Sequence, residues 1–204
     1  MPTDLNFNIA IPARYQSVRL PGKPLLDING KPMIQHVYEK AQACGANEVV
    51  VATDDQRIFD CCQQFGADVC MTSPDHASGS ERLAEVAEQR NWQDDTIVVN
   101  LQGDEPMMPA SLLRQVASDL ANHTEASIST LMTPIENVDE HFDPNVVKAV
   151  VDQAGYALYF SRAPIPWNRD RYQEKPADPA ENCFRHLGLY AYRVAFLRKY
   201  PQLD

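Results

Sequence analysis

The fold this sequence predicts is a three-layer α/β/α sandwich on a mostly parallel sheet, and two observations predict it. Short β-forming runs alternate with amphipathic helical runs from residue 7 to residue 120, the order that stacks helices on a sheet. One of the strand runs, TIVVNL at 96–101, is apolar enough to be buried on both faces, as the inner strands of parallel sheets are.

Each element carries its own signal. Phe7-Asn8-Ile9-Ala10-Ile11 is short and rich in β-formers, which reads as a buried strand. Residues 31–44 place Met33, Ile34, Val37 and Ala41 on one helical face, with Gly45 following as the C-cap. EVVVAT at 48–53 is a central strand, 56–65 a helix stopped by Gly66, 67–71 a third strand and 80–91 a helix. After the strand at 96–101, residues 109–120 form a helix with Pro109 near its first turn. The rest of the chain changes character. Residues 146–151 and 156–160 flank Asp152-Gln153-Ala154-Gly155 as a hairpin, and 186–193 alternates as another strand. Between them, 163–180 holds Pro164, Pro166, Pro176 and Pro179 among many charges, a loop of the kind that lies over sites.

Composition narrows the function classes. The 204 residues fit one large domain, or a core with a smaller addition. With 18 Lys and Arg against 28 Asp and Glu, the formal net charge is -10, which argues against nucleic-acid or anionic-membrane partners, since both are bound by many basic groups. No secretory signal is visible at the N-terminus, and no run approaches the roughly 18 apolar residues that span a bilayer. Cys44, Cys61, Cys62, Cys70 and Cys183 are odd in number and lack CxxC spacing, so free thiols in a reducing cytosol are expected. The chain has no GxxxxGK[ST], GxGxxG, GxSxG or HExxH sequence.

Two segments carry chemistry. IPARYQSVRLPGKPL at 11–25 puts Arg14, Arg19 and Lys23 in a Pro-bounded loop directly after the first strand, at the sheet edge where open α/β folds bind ligands. Three basic residues also suit a solvated surface; in so acidic a chain they point to a small anionic ligand held at one spot. The second segment, Gln102-Gly103-Asp104-Glu105-Pro106, follows the strand at 96–101. A Gly-Asp turn that merely ends a strand is one reading. A carboxylate for Mg²⁺, which takes one or two protein carboxylates and completes its shell with phosphates and water, is the other. Cationic groups and Mg²⁺ together are what displacement at phosphorus requires.

These two segments, with TSPDHASGSER at 72–82, SRAPIPW at 161–167 and FRHLGLYAYR at 184–193, together resemble the 3-deoxy-manno-octulosonate cytidylyltransferase family, the CMP-Kdo synthetases. The five segments run in order across nearly the whole chain. The resemblance implies a fold of the nucleotide-diphospho-sugar transferase type, with residues 1–133 as a nucleotide-binding core and 134–204 as a smaller β-rich part for sugar binding and dimerisation. It implies a cytoplasmic, homodimeric, Mg²⁺-dependent enzyme that joins CTP and 3-deoxy-manno-octulosonate (Kdo) into CMP-Kdo and diphosphate for lipopolysaccharide synthesis.

Residue by residue, the same resemblance assigns the triphosphate to Arg14, Ser17, Arg19 and Lys23, with Lys23 and Arg14 catalytic, and the base and ribose to His76, Ser78, Ser80 and Arg82. Asp104 would bind Mg²⁺ and act in catalysis, and Gln102, Arg162, His186 and Tyr190 would take the sugar. As a helix signal, Ser78-Gly79-Ser80-Glu81 equally suits an N-cap. Relatives often carry Thr-Asp in place of Ser80-Glu81, and family members continue beyond Asp204 with a second Mg²⁺-binding aspartate, more sugar contacts and part of the dimer interface. A CMP-sialate-type synthetase and a non-catalytic nucleotide-binding protein are the alternative readings.

Overall fold

The computed structural model describes residues 5–16, 20–172, 178 and 181–202. In chain order its elements are β1 (Asn8–Ala13), β2 (Asp27–Ile28), β3 (Lys31–Pro32), α1 (Met33–Gln42), β4 (Val49–Thr53), α2 (Gln56–Gln64), β5 (Val69–Met71), α3 (Gly79–Gln89), β6 (Ile97–Asn100), α4 (Ala110–Asn122), β7 (Ile128–Pro134), α5 (Val138–Phe142), β8 (Lys148–Val151), β9 (Ala157–Ser161), β10 (Phe184–Arg193) and α6 (Val194–Lys199). Contacts divide the chain into two units, Met1–Ser129 with Leu189–Asp204, and Thr130–Gly188.

The first unit is an α/β core that takes in Leu189–Asp204, residues the family resemblance groups with the sugar-binding part. Its strands lie in the order β5, β4, β1, β6, all parallel, with the second half of β10 added antiparallel to β6. β1 is buried along its length because it is paired on both edges: Ile9 lies opposite Val49 on one side and Val99 on the other. Strand side chains alternate between faces. Ala10, Val50, Ala52 and Val98 join Leu83, Val86 and Ala87 of α3 and Leu197 of α6 in one cluster. The intervening Ile9, Ile11, Val51 and Val99 are equally buried and point to the opposite face. Helices α3 and α6 touch each other, as do α1 and α4, so each face has its own helical layer.

The connections explain why there are two layers. From β1 the chain steps outward to β4 and β5, then α3 carries it back past β1 to β6. Because parallel crossovers keep one hand, reversing the direction of travel moves the helix to the other face. The reversal lies between β1 and β6.

Helix α3 is tied down from within. Arg82 is fully buried, and its Nη2 donates to Asp54 Oδ2 at 3.0 Å, just beyond β4, while Nη1 reaches the Thr72 hydroxyl just beyond β5. Its Nε has no partner among the described residues.

The second unit is β-rich. β8 and β9 form the expected antiparallel hairpin, and Phe184 at the start of β10 pairs with Ala149 of β8. Ile135, Tyr172 and Cys183 make a small core, with Phe142 and Val146 packed on it. Lys148 is fully buried and its Nζ donates to the carbonyls of Asp143 (2.9 Å) and Val146 (2.7 Å), which answers the rule that a buried charge needs partners. No helix among the described residues is long and apolar enough to cross a membrane.

Some elements were not anticipated. The helix expected from residue 31 begins at Met33, because Lys31-Pro32 pairs back onto Asp27-Ile28 across an Asn29-Gly30 turn with φ of 53° and 83°, a two-residue hairpin. β7, α5 and α6 lacked strong periodic signals; α5 and α6 have 5 and 6 residues.

Replacing Arg82 by Ala removes one partner of a buried ion pair and leaves Asp54 unmatched. Urea unfolding of Arg82→Ala is expected to show a loss of about 3–5 kcal/mol, and a loss within about 0.5 kcal/mol of zero, typical of surface substitutions, would rule out the strut.

Candidate active site

The carboxyl ends of β1 and β6 open side by side at the point where strand order reverses, the place where open α/β sheets leave a crevice. The turn after β6 is pressed against the end of β1: the Gly103 N–H donates to the Pro12 carbonyl at 3.3 Å. A Cβ at Gly103 would sit 2.9 Å from that oxygen, so the close approach requires glycine. It delivers the next residue, Asp104, to the basic loop, where Lys23 Nζ lies 2.7 Å from Asp104 Oδ2.

Lys23 is placed by the loop that follows β1. The Gly22 N–H donates to the Tyr15 carbonyl at 2.8 Å, closing the loop at its neck, and a 3-10 turn over Lys23–Leu25 follows. The Arg57 guanidinium stacks on the Tyr15 ring, 3.3 Å from its centroid, and is itself held by Asp55 through Nε at 2.9 Å and Nη2 at 2.6 Å. Ser17 and Arg19, expected at the triphosphate, lie outside the described residues. The side chains of Lys23 and Asp104 are 34% and 49% exposed, and exposed pairs of this kind contribute about 0–1 kcal/mol. The pairing is therefore easily exchanged for other partners.

Arg14, at the end of β1, donates from Nη2 to the His76 carbonyl at 2.7 Å. His76 lies in the segment between β5 and α3, and its Nε2 meets Glu85 Oε2 at 2.5 Å. That same carboxylate oxygen accepts the Ser73 N–H at 2.8 Å. Burial pushes the Glu85 carboxyl up, but the hydrogen bonds from His76, Ser73 and Gln89 outweigh it and hold it below the usual carboxylate range.

The remaining residues of 72–82 divide by role. Ser78 caps α3, its Oγ accepting the Glu81 N–H at 3.2 Å, while Glu81 Oε2 reaches back to the Ala77 N–H at 2.8 Å, a variant of the capping box. Ser80 is buried, with Oγ 3.3 Å from the Tyr192 hydroxyl. Arg82 is the buried strut already described.

Of the residues expected at the sugar, Gln102 is half-buried, with Nε2 3.5 Å from Asn100 Oδ1. Tyr190 pairs in register with Asn100 and stacks on Tyr192 at 5.9 Å between ring centroids; burial pushes its hydroxyl pKa up. In the second unit, Arg162 is exposed, its Nη1 donating to the carbonyls of Pro144 (2.9 Å) and Asn145 (3.4 Å). His186 lies against the Phe160 ring, with Nε2 2.9 Å from Thr130 Oγ1, and burial pushes its pKa down.

Asp104 is the carboxylate that faces the basic loop. No group of three or more His, Cys, Asp or Glu that could hold a metal is found among the described residues. A single exposed carboxylate suits Mg²⁺, which keeps several waters and leans on substrate phosphates, and does not make an all-protein cage. The residue set fits on that chemistry.

Sequence reading passed over Glu85, Asp54, Tyr15 and Gly103. For Glu85 a signal existed: Glu81, Glu85 and Gln89 recur at spacing four along one face of α3. Gly103 sits directly behind a buried strand, where close backbone approach is a common use of glycine. Asp54 and Tyr15 gave no local sign, because their partners Arg82 and Arg57 are distant in sequence.

The model of the cytidylyltransferase family matches residues 9–203. A 3-deoxy-manno-octulosonate cytidylyltransferase of Thioalkalivibrio sulfidiphilus is 60% identical over 200 residues, covering 98% of this chain and 80% of its own. Another, of Photobacterium profundum, is 57% identical over 196 residues, covering 96% and 79%. A solved structure of a CMP:2-keto-3-deoxy-manno-octonic acid synthetase complexed with CTP is similar at a TM-score of 0.86 and 44% identity, over 98% of this chain and 78% of that one. These likenesses over nearly the full chain establish that it belongs to the cytidylyltransferase family, in its 3-deoxy-manno-octulosonate group.

Proposed function

We propose that this chain activates Kdo: CTP and Kdo give CMP-Kdo and diphosphate. The observation that carries the reading is the 2.7 Å pair of Lys23 and Asp104 at the mouth of the β1–β6 crevice, which sets a cation for phosphate oxygens beside a carboxylate for a divalent ion. The relatives' activity supports the choice of nucleotide and sugar.

The anomeric hydroxyl of Kdo attacks the α-phosphorus in line; the new O–P bond forms as the bond to the bridging oxygen breaks, diphosphate leaves with the electron pair, and the hydroxyl proton passes to solvent. Lys23 offers a compact ammonium to the departing diphosphate, and Arg14 a planar fork to phosphate oxygens. Asp104 would hold Mg²⁺, which when bound supplies charge neutralisation at the phosphates. Gln102, Arg162, His186 and Tyr190 are assigned to the sugar by likeness to the family, and the Arg162 guanidinium suits a carboxylate. His76, Ser78 and Ser80 are assigned to base and ribose on the same ground, while Arg82, assigned with them, is fully buried and anchors α3 through Asp54 and Thr72.

Two further properties belong to this reading. A homodimer is supported by the exposed apolar side chains of β9 in the second unit, Leu158 (66% exposed) and Phe160 (41%) on one face of the strand and Tyr159 (60%) on the other, since exposed apolar surface marks interaction sites. A cytoplasmic location fits the free thiols, of which burial pushes Cys62 to about 12 and Cys70 to about 11, far from thiolate reactivity.

Diphosphate release measured with CTP and Mg²⁺ should occur with Kdo as acceptor and be far slower with sialic acid; release with sialic acid alone would move the chain to the sialate-type synthetases. Asp104→Ala should cut turnover by about a hundredfold or more with an unchanged circular dichroism spectrum, and retained Mg²⁺-dependent turnover would remove Asp104 from the metal. Lys23→Ala should weaken CTP about tenfold but CMP hardly at all, because its target lies beyond the α-phosphate; equal losses in calorimetry would displace Lys23 from that role. Leu158→Glu is expected to convert the dimer to monomer in sedimentation, whereas an unchanged dimer would exclude β9 from the interface.

A further inference from the structure

Glu85 lies outside every segment to which the family likeness assigns a ligand contact, yet three hydrogen bonds converge on it. Oε2 takes the Ser73 N–H at 2.8 Å and His76 Nε2 at 2.5 Å, and Oε1 takes Gln89 Nε2 at 2.8 Å. One turn earlier on the same face of α3, Glu81 takes the Ala77 N–H at 2.8 Å. The two carboxylates therefore grip the segment between β5 and α3 at its beginning, middle and end. The opposite face of α3 is buried through Leu83, Val86 and Ala87 and anchored by Arg82, so the grip is on a rigid support.

The consequence reaches the crevice through one atom. The His76 carbonyl is the acceptor for Arg14 Nη2 at 2.7 Å, so whatever fixes residue 76 also fixes the direction of the Arg14 guanidinium. We propose that Glu85 is a positioning residue for nucleotide binding, holding His76 so that its carbonyl aims Arg14 at the phosphates. This rests on the reading of the crevice as a CTP site. The lowered pKa of Glu85 agrees, since the carboxylate stays charged while it accepts these donors. A carboxylate that merely decorated the helix surface would not be shared between a ring nitrogen and a backbone N–H of a preceding loop.

The test is calorimetric titration of the full chain with CTP and Mg²⁺, with GTP as control, alongside steady-state kinetics with Kdo and thermal melting without ligand. Glu85→Ala is expected to weaken CTP about tenfold, the scale of a lost charged hydrogen bond, raising KM with kcat nearly unchanged, the pattern of lost uniform binding. Glu85→Gln keeps an acceptor oxygen for Ser73 and His76 and should recover most of the affinity. Glu85→Asp, one methylene shorter, should not. In a His76→Ala background the Glu85→Ala change should cost little more, because residues acting through one another do not add.

Wild-type affinity in Glu85→Ala, or full additivity with His76→Ala, would overturn the proposal. So would a loss of kcat at unchanged KM. Where Glu85→Ala melts below the working temperature, the Gln and Asp variants decide by the same criteria: equal affinity in both overturns it. A wild-type chain that binds no CTP would bring down the functional reading itself. Binding by the wild type with indifference in the variants brings down the role of Glu85 alone.

Discussion

The parallel pairing of β1 along both of its edges is the constraint on which the rest depends. With β4 on one side and β6 on the other, the strand has no face or edge left for water, so beyond Asn8 at its start its residues are small or apolar and the charged chemistry lies past its end. The same pairing brings two segments about ninety residues apart in sequence to one edge: Arg14 and Lys23 after the first strand, Asp104 after the other. Since β6 is reached only after the chain has reversed its direction of travel, the helices diverge to opposite faces there and leave the edge uncovered. The crevice is thus a by-product of topology, and the sequence places its charges where topology leaves room.

Helix α3 links core and crevice. Its inner face packs on the sheet and carries Arg82 into the interior, while Glu81 and Glu85 on another face hold the preceding segment. A buried ion pair is costly to desolvate, so Arg82 is better understood as fixing the register of α3 against the ends of β4 and β5 than as adding stability for its own sake. The helix that supports His76 is thereby prevented from sliding.

Much of this was legible in the sequence, and the parts that were not share a cause. The strands of the core announced themselves by continuous apolar runs such as Val49-Val50-Val51, because burial on both faces leaves few alternatives. The basic loop stood out against an acidic chain, and the Gly-Asp turn gained its meaning from being paired with that loop. The Asn29-Gly30 hairpin was missed, because Lys31 and Pro32 were taken into the helical pattern that starts at Met33. Arg82 was different: the family resemblance assigned it to base and ribose, and only the fold reveals Asp54, 28 positions away, as its partner. β7 likewise owes its extended form to tertiary pairing. Local pattern conveys what each segment prefers; it cannot convey which distant segment will satisfy a charge.

The partner of Arg14 is a neutral carbonyl, whereas that of Lys23 is a carboxylate. The Lys23 and Asp104 charges offset each other in their pair, whereas the guanidinium keeps its positive charge within a chain of net charge -10. Low-dielectric walls focus such a field. A polyanion diffusing up to so acidic a protein is repelled by its net charge and attracted locally by Arg14, so the arrangement favours approach at the strand end that bears it. Over distances beyond the Debye length of about 8 Å at physiological ionic strength, salt would erase that guidance while leaving the contacts within the crevice in place.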